Sequence, residues 1–310
     1  MLSRLRDHRW VRLIFVLAVL GCAGYALYAR WDEAESALRT LSPGFVAASV
    51  AAALAGLGAQ MMAWRAILAD LGSPLPVGAA ARVMFVGQLG KYLPGSVWAF
   101  VAQVELARDR DVARQRGYTA TVLAVVVTLT VNLAVAAATL PFAAQDAAVR
   151  WWWVLACAPV LLAALHPRVV TRAIHTALRL TRRSRDVPDG EPERVSGRGM
   201  AAAVGWSVLA WVPLALHIWV LVLGAGGHGP TALPAAAGAY ALAWTLGVLF
   251  VIAPAGIGVR ELVMVVALSP VLSPGSALVV AALSRLVMTV ADIVWAGAAL
   301  AFTRSAAPAR

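Results

Sequence analysis

Apolar residues in this chain do not alternate with polar ones and do not keep to one helical stripe. They come in long runs separated by short charged segments. A helix needs about 20 mainly apolar residues to cross a bilayer. Six runs approach or exceed that length: 11–29, 43–64, 117–140, 149–165, 200–223 and 275–303. The fourth is the shortest and opens on Trp151, Trp152 and Trp153, a placement suited to the aromatic belt at a membrane surface. Two further stretches, 77–107 and 233–270, are apolar but interrupted. The first breaks at KYLPG into arms of about 13 and 12 residues, and the second at APAGIGVRE into arms of about 20 and 11. Arms this short enter and return rather than cross, and irregular backbone at membrane depth survives only when buried in protein or lining a wet cavity. The pattern predicts an all-α polytopic membrane protein with six full transmembrane helices and two re-entrant helical hairpins.

Charge orients the pattern. With the N-terminus inside, the cytoplasmic segments hold 19 of the 26 basic residues, and the external ones hold Arg30, Arg39 and Arg150. Basic residues concentrate on the cytoplasmic side of short loops, so both termini are expected to be cytoplasmic. The chain then divides into an N-terminal membrane half, 1–165, with the first hairpin at 77–107; a basic cytoplasmic loop, 166–199; and a C-terminal membrane half, 200–310, with the second hairpin at 233–270. In the loop, Arg168, Arg172, His175, Arg179 and Arg182 share one helical face. Two readings stand for it: a helix lying on the anionic leaflet, or a solvated basic loop.

The halves echo each other. PLPVGAAARVMFVGQLGKYLPG and TALPAAAGAYALAWTLGVLFVIAPAG share a Leu-Pro start, a stretch of small residues and a closing Pro-Gly or Pro-Ala-Gly break. Asn132 and Asp292 fall at similar places in the helices that follow. A helix, hairpin, helix unit appearing twice with opposite orientation is the inverted repeat of transporters.

Composition narrows the chemistry. The chain is 61% apolar and 13% charged, with net charge +11. The charge follows topology, so no nucleic-acid partner is expected. Cys22 and Cys157 lie inside apolar runs and the five histidines are scattered. No metal, hydrolase or nucleotide motif is present, and neither a metal nor a cofactor is expected.

The candidate chemistry is the set of ionisable groups at membrane depth, which are costly there and point to function. They are Lys91, the only lysine, with Glu105, Arg260, Glu261, Arg285 and Asp292. Most lie beside the two breaks. Pro94 and Gly95 at one, and Gly256 and Gly258 at the other, leave amides free to bind anions. Together these residues can cradle a phosphate. The alternative is internal neutralisation, pairing Arg260 with Glu261, Arg285 with Asp292, or Lys91 with Glu105 or Glu261.

GQLGKYLPGSVWAFVAQVELAR and APAGIGVRE resemble the two signature segments of the lysylphosphatidylglycerol synthase transmembrane family, the flippase-like membrane proteins. Pro94, Gly95, Glu105 and Arg108 match the first loosely; Pro254, Gly256, Gly258 and Glu261 match the second well. Ser96 and Val97 depart from the form many members show. The synthases carry a soluble aminoacyl-transfer domain after the membrane part. Here the sequence ends at SAAPAR, six residues after Arg304, and no such domain is expected. The resemblance implies a bacterial inner-membrane protein that moves an anionic phospholipid or a polyprenyl-phosphate-linked glycan between leaflets. The partners implied are membrane lipids and a lipid or glycan synthase or glycosyltransferase. The rival expectations are a membrane-embedded transferase acting on lipid-linked substrates, and a non-catalytic partner of a synthase.

Overall fold

The computed structural model describes residues 28–92, 98–143, 195–250 and 256–305. Among them there is no strand. The helices are α1 (Trp31–Thr40), α2 (Pro43–Asp70), α3 (Val77–Ala81), α4 (Trp98–Arg108), α5 (Arg114–Thr139), α6 (Gly197–Gly224), α7 (Ala232–Leu249), α8 (Val259–Leu268) and α9 (Pro274–Ser305). α3 runs on through a π-helical turn, Arg82–Val86, and ends in a 3-10 turn, Leu89–Tyr92.

Among the described residues, five helices are long and apolar enough to cross a membrane: Pro43–Asp70, Arg114–Phe142, Gly197–Gly224, Ala232–Leu249 and Pro274–Ala301. Four correspond to expected spans. The other, α7, was expected as the first arm of the second hairpin. At about 27 Å it nearly matches the hydrocarbon core, whereas α8, at about 15 Å, does not. The expected spans at 149–165 and over nearly all of 11–29 lie outside the described residues, as does most of the loop 166–199.

Local sequence marks where helices begin. α2 starts at Pro43, whose fixed φ and missing N–H suit a first helical position. α6 starts at Ser196, whose hydroxyl accepts from the Gly199 amide at 3.0 Å. That cap is itself clamped to the far end of α2: Asp70 accepts from the Ser196 amide and hydroxyl, each at 2.6 Å.

α2 and α6 form the central pair, and they run antiparallel. Gly224 packs on Leu41 and Phe45, Ser49 meets His217, Gly56 lies against Ala210 and Leu214, and Asp70 reaches Ser196. Small residues let the backbones approach. α5 also runs antiparallel to α2, with Trp64 Nε1 donating to Thr121 Oγ1 at 3.2 Å and Gln60 bonded to Thr128. α9 runs parallel to α2. It begins beside Glu33, brings Ser284 level with Ser49 through His217, and lays Trp295 on Leu54 and Gly58. Both long helices of the second half therefore run opposite to their counterparts. Each closing helix packs between its own half's returning arm and the other half's entering arm: α5 between α4 and α7, α9 between α8 and the rod 77–92. This is the expected inverted repeat.

The two arms of the first hairpin fold back on each other. Gly87 faces Gln103 and Gly90 faces Ala99, so the arms are antiparallel and touch backbone to backbone. A Cβ on Gly90 would stand 2.8 Å from the Ala99 amide nitrogen.

α1 was expected only as an external connection. It is a helix that buries Ala34 and Ala37 and packs against α9. Its Glu33 accepts from the Gly275 amide at 2.8 Å, capping α9 from outside the helix. That bond, followed by the Ser273 hydroxyl and Arg30, holds the Glu33 carboxyl below the ordinary carboxylate range.

Candidate functional site

α9 presents two ionisable groups seven residues apart, Arg285 and Asp292. Each meets a different hairpin. Asp292 Oδ2 lies 2.5 Å from Lys91 Nζ and accepts from the Tyr92 hydroxyl at 2.7 Å. The Asp292 side chain is 1% exposed and that of Lys91 is 32% exposed. The second carboxylate oxygen, Oδ1, is buried and has no hydrogen-bond partner among the described residues. Lys91 also lies over the Tyr92 ring, 5.3 Å from its centroid. The 3-10 turn Leu89–Tyr92 places both side chains on α9.

Arg285 Nη1 lies 2.5 Å from Glu261 Oε1. The other Glu261 oxygen accepts from the Gly258 amide at 2.7 Å, closing the first turn of α8. The chain can enter α8 at this angle because Gly256 and Gly258 take φ of +69° and +87°, the region that glycine adopts without steric cost. Gly256 lies directly against Gly247. The stem of Arg260 runs past these glycines, and its guanidinium sits 5.9 Å from the Tyr240 ring centroid. No described carboxylate is within ion-pair distance of Arg260. The Arg260 and Arg285 charges both bear on Lys91. The result is a cluster of three cations and two carboxylates where the two hairpins approach α9.

A second polar group lies deep in the helix bundle. The His217 ring is fully buried, with Ser49 Oγ 2.7 Å from Nδ1 and Ser284 Oγ 3.0 Å from Nε2. Its ring meets the edge of Tyr240 at 5.6 Å.

Of the expected site residues, Lys91, Arg260, Glu261, Arg285 and Asp292 come together. Gly256 and Gly258 shape the entry to α8, but the Gly258 amide is used by Glu261 and is not open to an anion. Pro94 and Gly95 lie outside the described residues. Glu105 does not join the cluster. It is exposed at the end of α4, 2.8 Å from Arg114 and 3.5 Å from Arg108, and the Arg114 hydrogen bond holds its carboxyl below the ordinary range. The expected ion pairs are exchanged. Arg285 and Asp292 are separated by about 10 Å along the helix axis, too far to pair, and neighbouring residues such as Arg260 and Glu261 face different ways. Lys91 pairs with Asp292, not with Glu105 or Glu261. Tyr92, His217 and Tyr240 were not singled out from sequence, although His217 stands alone as a polar group in the run WVPLALHIWVLVLG.

The sequence pattern of the lysylphosphatidylglycerol synthase TM region family matches residues 10–296, both hairpins and the cluster included. The chain belongs to this family. It is a multi-pass member of the lysylphosphatidylglycerol synthase TM region family, and the match extends along α9 past Asp292. No curated protein matches the chain.

Proposed function

We propose that this protein moves an anionic lipid, either an anionic phospholipid or a polyprenyl-phosphate-linked glycan, between the two leaflets of a bacterial inner membrane. Lys91, Arg260 and Arg285 bind the phosphate, and Glu261 and Asp292 hold two of those cations in place. The observation that carries this reading is the excess cation: among the described residues three positive groups lie with two carboxylates, and Arg260 rests on the Tyr240 ring with no described carboxylate at ion-pair distance. A charge at membrane depth is expensive unless paired, and a lipid phosphate supplies the missing partner. Arginine offers a planar fork to phosphate oxygens and lysine a compact point charge. The lipid tails remain among the apolar helices while the head group passes between the hairpins, as in carriers built from inverted repeats. Both termini and the basic 166–199 loop face the cytoplasm. With no nucleotide motif, movement is passive, ion-coupled or driven by a partner synthase.

The test reconstitutes the full chain in liposomes with head-group-labelled phosphatidylglycerol and measures label accessibility to an impermeant quencher. Wild type should exchange the label across the bilayer. Arg260→Gln should weaken lipid binding about 10- to 150-fold, the worth of a charge-assisted contact. Exchange no faster than in empty liposomes counts against transport. Formation of a modified lipid instead points to an embedded transferase, and stable co-purification of a synthase without exchange points to a partner role.

A further inference from the structure

We infer that Asp292 takes up a proton when an anionic head group binds Lys91, so that anion binding and proton binding are coupled at this site. The inference rests on the lipid reading above and adds an ion to it. Its basis is how Asp292 is held. The side chain is 1% exposed, and one oxygen, Oδ2, receives both of its partners, Lys91 Nζ at 2.5 Å and the Tyr92 hydroxyl at 2.7 Å. Both partners belong to one short turn of the first hairpin. The other oxygen, Oδ1, is buried with no donor among the described residues.

A phosphate that engages Lys91 competes with Asp292 for the same ammonium. Once the lysine turns to the phosphate, Asp292 is left as a buried carboxylate with a single neutral hydroxyl, a state that proteins avoid by taking up a proton. The bare Oδ1 lone pair is where the proton lands. The balance is simple: one proton leaves the solvent and bonds to Oδ1, no other bond is made or broken, and Lys91 stays an ammonium. The pair Lys91 and Asp292 is replaced by Lys91 and phosphate beside a neutral acid, so the net charge of the buried site does not change.

The surroundings favour a proton over a metal cation. A sodium ion needs several oxygen ligands, and Asp292 offers one free oxygen beside an ammonium. Each element packed near Asp292 contributes its own groups. The first hairpin brings Lys91 and Tyr92. On α9 itself Arg285 is held by Glu261 of α8. The second hairpin adds Arg260 and Tyr240. α6 packs His217 on α9 about two turns earlier, at Ser284, where Ser49 closes off its other ring nitrogen. α2 contributes apolar Ala53 to this stretch of α9, and Glu33 of α1 sits at the far end, at Gly275.

The experiment is titration calorimetry of the detergent-solubilised full chain with dihexanoyl-phosphatidylglycerol at neutral pH, in two buffers of different ionisation enthalpy. The expected result is a binding heat that differs between buffers by close to one proton taken up per lipid bound. An infrared difference spectrum should gain a protonated-carboxyl band on lipid addition. Asp292→Asn should bind lipid with the same heat in both buffers and no new band. Equal heats in both buffers for wild type, with binding evident, overturn the coupling and leave the lipid reading intact. Proton uptake that persists in Asp292→Asn also overturns it. Absence of any binding heat removes the lipid reading and this inference together.

Discussion

Lys91→Ala strands a carboxylate, and the size of the effect follows from how unequally the pair is buried. Removing one member of a buried ion pair costs about 3–5 kcal/mol. With Asp292 1% exposed, the stranded anion keeps only the Tyr92 hydroxyl. Lys91→Ala should therefore lose stability in that range, about 3–5 kcal/mol. The reverse deletion is milder. In Asp292→Asn the lysine, 32% exposed on a long flexible stem, can move its ammonium away from the lost partner, so the loss should be smaller than in Lys91→Ala. The double variant strands nothing and should resemble Asp292→Asn, giving a coupling energy of about 3 kcal/mol. The assay is denaturant unfolding of the solubilised full chain for all four proteins. Equal losses from the two single changes and a double loss equal to their sum would refute the reasoning.

Gly90→Ala should destabilise the protein by about 1–3 kcal/mol, because the new Cβ meets backbone atoms of Trp98 and Ala99 that cannot move aside. Gly78→Ala, with nothing within 4 Å, is the matched control and should melt at or slightly above wild type. Glu33 contributes stability above its unfolded value of about 4.3, and loses it as pH falls through its lowered folded value. Between about pH 5 and about pH 3, the melting temperature of wild type should fall more than that of Glu33→Gln; parallel curves would remove Glu33 as a cap. A cysteine introduced at Ser184, in the arginine-rich loop, should resist impermeant maleimide on intact cells, and efficient labelling there reverses the orientation.

The long spans were legible because apolar length in a membrane protein is close to a direct readout of structure. The breaks were legible too, since proline and glycine inside apolar runs have few other uses. What could not be read was partnership. Lys91 and Asp292 are 201 residues apart, and the antiparallel packing of the rod 77–92 on α9, with Phe85 on Trp295 and Tyr92 on Thr289, brings them together. Sequence spacing put Arg285 and Asp292 on related faces of one helix, which is correct, but spacing carries no information about which hairpin each will meet. α1 was missed because WDEAESALRT is mostly polar, and its buried face consists of two alanines that resemble any surface residues. The π-helical turn at Arg82–Val86 has no signature in composition at all.

The clamp between Asp70 and Ser196 has a consequence for assembly. It joins the last turn of α2 to the first turn of α6, and the Gly56 and Gly224 contacts continue that seam to the other end. Register between the halves is thus written into facing surfaces rather than into the chain that connects them. A polypeptide cut between 166 and 194 should behave as two fragments that find each other in the bilayer. Co-expressed from separate genes, a tagged first fragment should retain the second through purification, and Asp70→Ala should loosen that hold.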